Sequence, residues 1–237
     1  MSKAALITGG GMRLGKAMAL TLAELGYDIA LHYNSSASES EKTEGEIRSL
    51  GRSCEIFKAD LLKMEEVRTL VPRVFEAFPG CSVLINSASV FENIRFPDVT
   101  EESFDRDMNI NFKAPFFLSQ DFARGASAGL IVNMLDSRVS TNATSYFVYH
   151  LGKKALRDFT LMAAKALGPR IRVNAICPGP VLPPPGEGEE YLIRISQDTP
   201  IGKPGSPEYI TAALKYIIEN TYITGECLFV DGGQHLL

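Results

Sequence analysis

The chain has 237 residues, of which 45% are hydrophobic and 22% charged, and its formal net charge is −4. That length and balance suit a folded α/β domain with a large core. They give no basic block for a nucleic-acid partner and no apolar run near the roughly 18–20 residues of a membrane-spanning helix. The opening MSKAALITGG enters a strand-like run with no signal-peptide pattern, so a cytoplasmic location is expected. Cys54, Cys81, Cys177 and Cys227 form no CxxC pair, and His32, His150 and His235 have no metal-ligand spacing, so neither disulfides nor a metal is expected.

Short β-rich runs alternate with longer helical patterns. Strands are predicted at 3–8, 28–33, 54–59, 82–86, 129–134, 171–176 and 226–230, several of them apolar throughout, as in strands covered on both faces. Helices are predicted at about 13–25, 37–50, 63–78, 101–124, 146–167 and 207–220. The alternation predicts one doubly wound, Rossmann-type parallel sheet of seven strands with helices on both faces, formed by residues 1–237 as a single domain. Residues 178–206 break the rhythm with a proline- and glycine-rich stretch and a possible short helix near 187–196. A long segment after a strand's C-terminal end is expected to act as a substrate lid.

TGGGMRLG, residues 8–15, follows the first strand and opens the first helix. Glycines there let the backbone turn sharply and approach a pyrophosphate at a helix N-terminus, where free N–H groups favour anions. NAD-specific sites commonly place an acid at the end of the second strand. Here that place reads His32, Tyr33, Asn34, Ser35, Ser36, with no carboxylate. Arg13 can reach a 2′-phosphate, with Ser35 and Ser36 as donors, so the expected cofactor is NADPH.

Tyr149 and Lys153 stand four residues apart, one turn on a shared helix face. A free phenol near pKa 10 is a poor proton carrier at neutral pH, and a nearby cation favours its ionised form. The lysine is therefore expected to lower the phenol's pKa and to hydrogen-bond the nicotinamide ribose. Thirteen residues before the tyrosine stands Asp136, with Ser137 beside it.

With TGGGMRLG, Asp60 in KADLL, NSAS at 86–89, Asn111 in MNINFKAPF, YHLGK at 149–153, RVNAICPGPV at 172–181 and ITGECLFVDGG at 223–233, the chain resembles a short-chain dehydrogenase/reductase over nearly its whole length. The resemblance implies that the residue at Asp60 contacts the adenine, that Asn86 and its neighbours support the central sheet beside the cofactor, and that Asn111 holds a water in a proton relay to the lysine. It also implies that Pro178 and Gly179 lie over the nicotinamide and that a homotetramer forms, often through the VDGG region. Two positions depart from the general pattern: a usual glycine is Arg13, and the usual catalytic serine is Asp136, although Ser137 is that serine if the alignment slips by one.

Both departures resemble pteridine reductases, a subgroup acting on pterins and folates, as do the LHY of the second strand and the aromatic Phe91 after the fourth. In that subgroup the aromatic sandwiches the pterin against the nicotinamide, a sensible stack for a flat heteroaromatic. The resemblance implies catalytic roles for Asn111, Asp136, Tyr149 and Lys153. It implies cofactor contacts from Gly9, Arg13, Leu14, His32, Asn34, Ser35, Ser36, Asp60, Leu61, Asn86, Ser87, Ala88, Tyr149, Lys153, Pro178 and Gly179, and substrate contacts from Arg13, Ser89, Phe91, Asp136, Tyr149 and Pro180. The expected reaction sends hydride from NADPH to a ring carbon and a proton through Tyr149 to a ring nitrogen, with Asp136 assisting. A carbonyl or 3-oxoacyl reductase is the main alternative, and a cofactor-sensing scaffold on the same fold is a third reading.

Overall fold

A computed structural model describes residues 2–184 and 186–237; Met1, and Pro185 of the expected lid, lie outside the described residues. The strands are β1 (Ala4–Ile7), β2 (Asp28–Tyr33), β3 (Cys54–Lys58), β4 (Cys81–Asn86), β5 (Gly129–Met134), β6 (Ile171–Pro178) and β7 (Cys227–Val230). They form one sheet in the order β3-β2-β1-β4-β5-β6-β7, every neighbouring pair parallel. The order reverses between β1 and β4, and a crevice for a ligand opens there at the strands' C-terminal ends.

The helices are α1 (Arg13–Glu24), α2 (Ala37–Ser49), α3 (Met64–Ala77), α4 (Glu101–Met108), α5 (Ala114–Gly125), α6 (Phe147–Leu167), α7 (Glu189–Ser196) and α8 (Pro207–Glu219). Alternate side chains of each strand point to opposite faces. Ala5 and Ile7 of β1 therefore meet Met18 and Leu22 of α1 and Ile210 and Leu214 of α8, whereas Ala4 and Leu6 share the other core with Leu70 and Val74 of α3 and Leu118 and Phe122 of α5. Two buried faces explain the unbroken apolar strands. No helix among the described residues is long and apolar enough to cross a membrane.

The helix predicted as one piece over 101–124 is divided. A π turn at Asn109–Lys113 separates α4 from α5, inserting extra backbone into the helical ladder, and such turns cluster at functional sites. Its centre carries Asn111, fully buried. α6 approaches this turn closely because residue 152 is glycine: a Cβ there would stand 3.2 Å from the Cβ of Asn111.

Candidate active site

A cavity of about 640 Å³ opens along the C-terminal edge of the sheet. Its floor begins at the glycine turn. Gly9 has φ 64°, a left-handed conformation that glycine adopts without penalty. A Cβ on Gly15 would come within 2.1 Å of the Gly9 carbonyl oxygen, so only glycine lets α1 start this close to the turn. Arg13 also has a left-handed φ of 52°, which explains why glycine is usual there. An arginine held in that conformation costs about 1 kcal/mol of backbone strain, the kind of local cost found at functional sites.

The start of α1 suits an anion. Met12, its N-cap, makes no side-chain cap, and the first turn holds no acid, so the leading N–H groups lie uncompensated. Beyond the turn the wall passes Asn34, Ser35 and Ser36 with no carboxylate between them. These amide, hydroxyl and N–H donors fit a phosphate-bearing dinucleotide. The Arg13 guanidinium donates to the carbonyl of Pro183 in the 178–206 segment, which ties the glycine turn to the far wall of the cavity.

His32 lines the cavity but acts as a brace. Its Nδ1 accepts from the Gly9 N–H (3.2 Å), and its Nε2–H donates to the Ala59 carbonyl (3.0 Å). Both ring nitrogens are spent within the protein, so the expected contact with cofactor falls to the rest of the residue. Burial pushes its pKa down to about 4, so the ring is neutral, as these two bonds require.

Three other sequence-derived residues stand behind the cavity wall. Asp60 accepts from the Leu62 N–H through its carboxylate (3.0 Å) and gives its own N–H to Glu66, so Leu61 and not Asp60 faces the cavity. The Asn86 amide donates to Asn133 (2.8 Å) and Ser119 (3.1 Å), and Asn133 donates to Thr160 of α6 (2.9 Å). This polar ladder locks β4, β5 and α6 together below the crevice. The Asn111 amide donates to the Val90 carbonyl (3.1 Å), and its oxygen accepts from Ser89 (2.6 Å). These bonds and the Thr8 hydroxyl, which accepts from the N–H groups of Ser87 (2.9 Å) and Ala88 (3.0 Å), shape the segment that presents Ser87, Ala88 and Ser89 to the cavity.

Tyr149 and Lys153 do lie one turn apart on α6, both buried. Lys153 donates to the Met134 carbonyl at the end of β5 (2.8 Å), and its ammonium lies 5.6 Å from the Tyr149 ring centre. Burial pushes the lysine down to about 8. The Tyr149 hydroxyl donates to Asp136 Oδ2 at 3.1 Å. Burial first, and the Asp136 carboxylate second, hold the phenol well above its ordinary pKa of 10. This differs from the expectation that Lys153 lowers it: burial and the adjacent acid set the direction, and the phenol keeps its proton. Asp136 also accepts from the Arg138 N–H (2.8 Å), closing an Asx turn that aims the other carboxylate oxygen at the tyrosine. Ser137, the slipped alternative, turns its hydroxyl to Gln234 instead (2.7 Å).

Phe91 stands over this group. Its ring stacks on Tyr146 (4.0 Å between centres, 9° between planes) and meets Tyr149 edge-on at 4.7 Å, while 40% of the residue stays exposed. Tyr146 was not legible as a site residue: it is the N-cap of α6, and a left-handed backbone (φ 52°) that spacing does not encode turns its ring onto Phe91. Arg138, His150, Tyr191 and Gln234 also line the cavity unforeseen. The far wall is Pro178, Gly179 and Pro180 with Leu182, Pro184 and Ile195 of the expected lid. A Cβ on Gly179 would come within 2.6 Å of Asp231, so the PG turn packs directly on the VDGG region.

A seven-stranded parallel sheet, a glycine turn at the head of α1 and a Tyr–Lys pair on α6 at the sheet's C-terminal edge define a nucleotide-dependent oxidoreductase class, and comparison with known proteins agrees. Residues 11–235 match the family described as "Enoyl-(Acyl carrier protein) reductase". General stress protein 39 of Bacillus subtilis (strain 168) is 32% identical over 98% of this chain and 84% of that protein. The short-chain dehydrogenase/reductase nsrJ of Aspergillus novofumigatus is 28% identical over 98% of this chain and 95% of its own. Among solved structures, the FolM alternative dihydrofolate reductase 1 of Brucella suis in complex with NADP is 34% identical, with a TM-score of 0.94 over 99% of this chain and 96% of that one. A short-chain dehydrogenase of Burkholderia cenocepacia in complex with NADP is 32% identical, with a TM-score of 0.90 over 98% and 97% of the two chains. The chain belongs to the short-chain dehydrogenase/reductase superfamily, and it is an oxidoreductase.

Proposed function

We propose that this protein is an NADPH-dependent reductase of pterin-type substrates, taking a dihydropterin or dihydrofolate to the tetrahydro form. The observation that carries the reading is the hydrogen bond from Tyr149 to Asp136. A ketone reductase needs a second hydroxyl donor at the substrate oxygen. This site offers a carboxylate in its place and turns the neighbouring Ser137 hydroxyl away. An acid beside a phenol suits a reduction that ends with a proton on a ring nitrogen.

Bound in the cavity, NADPH supplies the hydride that reduces a ring carbon. The donors at the head of α1, with Asn34, Ser35 and Ser36, would hold its phosphates and ribose, Lys153 would meet the nicotinamide ribose, and Pro178 and Gly179 would cover the nicotinamide. Tyr149 keeps its proton until the adjacent ring nitrogen takes it. Phe91 offers an aromatic face for a flat heterocycle. Complexes of similar proteins with NADP, one of them an alternative dihydrofolate reductase, support the same reading. A homotetramer is proposed with it, and the exposed Leu161 and Met162 of α6 and Phe104 of α4 offer apolar surface for one.

The second reading is a carbonyl or 3-oxoacyl reductase; the description of the matching family names an acyl thioester substrate, reduced at its C=C bond and not at a carbonyl. The two separate in one assay: NADPH oxidation with dihydrobiopterin or dihydrofolate, run beside an acetoacetyl thioester. Turnover of the pterin and not the thioester is expected, and turnover of the thioester alone would replace the proposal with the second reading. In the same assay Asp136→Ser should lose roughly tenfold or more in pterin turnover while gaining activity on the thioester. Full retention of pterin turnover would make the acid incidental.

A further inference from the structure

Directly after the tyrosine stands His150, a buried residue for which the proposed chemistry has given no task. Its Nδ1 lies 2.8 Å from the Ser145 carbonyl oxygen. A carbonyl only accepts, so Nδ1 carries the ring's proton and Nε2 of the neutral ring presents a lone pair. Nε2 lies 3.9 Å from Asp136 Oδ1. A lone pair and a carboxylate oxygen repel across such a gap, and they attract once a proton sits on either of them. His150 and Asp136 thus face each other just beyond hydrogen-bond reach, and a proton on either would draw them together.

We propose that His150 is a positioning residue that acts through Asp136, holding the proton with which the active site restores Tyr149 after each reduction. The inference rests on the pterin reading of Asp136 and deepens it. When Tyr149 gives its proton to the ring nitrogen and the hydride reaches the neighbouring carbon, the phenolate stands 3.1 Å from Asp136 Oδ2. Two anions at that separation oppose the transfer. A proton passing from His150 Nε2 to the Asp136 carboxylate, and from that carboxyl to the phenolate oxygen, removes the opposition. The bonds broken are the nicotinamide C–H, the phenol O–H and the Nε2–H. The bonds formed are the substrate C–H and N–H and a new phenol O–H. The net consumption is one hydride and one proton, and His150, which lines the cavity, regains its proton from solvent.

The surroundings set the proton's affinity. Burial, aided by Arg138 and Lys154, holds the imidazole below its ordinary pKa despite the pull of Asp136 and the Ser145 carbonyl, so the ring carries its second proton chiefly on the acid side. The rings of Tyr149 and Tyr146 pack edge-on at 5.3 and 6.3 Å. Asp136 in turn faces Tyr149, His150, the Arg138 N–H and the charge of Lys153. The shared proton leaves as pH rises, so turnover should fall along a limb that belongs to the pair.

Two measurements test this. The first is kcat and KM for dihydrobiopterin against pH, in the wild type and His150→Gln. The variant should lose roughly tenfold in kcat on the acid side and lose the falling limb, with KM and NADPH affinity kept within about twofold. The second needs no substrate: the His150 ring resonances titrated by NMR in wild type and Asp136→Asn. Removing the carboxylate should move the midpoint to lower pH. An unchanged kcat profile in His150→Gln, or an unchanged midpoint in Asp136→Asn, overturns the proton route alone. A wild type that does not reduce the pterin overturns the proposed function and the route with it.

Discussion

At the scale of single residues, the site is governed by which charge stands nearest to which proton. Tyr149 lies against Asp136 at 3.1 Å and is buried, so it stays protonated. Tyr149→Phe keeps the packing and removes the only proton the ring can give, so kcat should fall by about 10²-fold or more with NADPH binding intact. Near-normal turnover, measured beside fluorescence titration of NADPH, would take the phenol out of the mechanism. His32 shows the same physics used for stability. Its folded pKa is lowered to about 4, against about 6.5 in the unfolded chain. Between these values the unfolded state binds the proton and the folded state does not, so stability is full above pH 6.5 and is lost as pH falls toward 4. From pH 7 to pH 5 this one residue should remove about 2 kcal/mol. His32→Gln, less stable at pH 7 through its lost bonds, should lack that increment when urea denaturation is compared at the two pH values. An equal loss in both proteins would assign the acid sensitivity elsewhere.

At the scale of elements, close approach decides what the residues can do. The glycine turn sets α1 against β1, and Arg13 accepts a left-handed backbone so that a guanidinium can stand between the cofactor floor and the Pro183 carbonyl. Arg13→Gly relieves that strain but adds freedom to the unfolded chain, so stability should change by less than about 1 kcal/mol. NADPH affinity should fall roughly tenfold, the worth of one charge-assisted contact to phosphate. Unchanged affinity by calorimetry would leave Arg13 as a tie to the far wall alone. The π turn at Asn109–Lys113 and Gly152 form a matched pair: extra backbone on one side and a missing Cβ on the other bring α6 against Asn111. Helical periodicity over 101–124 carried no sign of the turn, since a single π turn is too short an interruption of the 3.6-residue pattern to show in a run of that length.

At the scale of the whole molecule, one sheet gathers residues from the far ends of the chain around a single crevice. A ligand that binds only the folded chain stabilises it by about 2.7 kcal/mol at one hundred times its Kd. NADPH should therefore raise the Tm of the complete protein more than NADH at equal concentration, because Ser35 and Ser36 leave room for a 2′-phosphate where an acid would exclude it. Equal shifts with both nucleotides would remove that preference. Much of this was legible in the sequence, for reasons that are local. Strand–helix alternation, the glycines after the first strand and the four-residue Tyr–Lys spacing are short-range patterns, and they fixed the fold class, the crevice and two of the site's central residues. Arg13 and Asp136 stood out as departures from a familiar pattern, and Phe91 as an aromatic placed where the resembled subgroup has one. Whether a named residue touches the cavity or braces it was decided only by tertiary structure. His32, Asn86 and Asn111 bond partners distant in the chain, while Asp60 turns to Leu62 and Glu66 of its own loop and helix. The protonation of Tyr149, the stack of Tyr146 on Phe91 and the facing of His150 and Asp136 were decided there too, because pKa and ring packing depend on distances of a few ångströms that linear spacing does not encode.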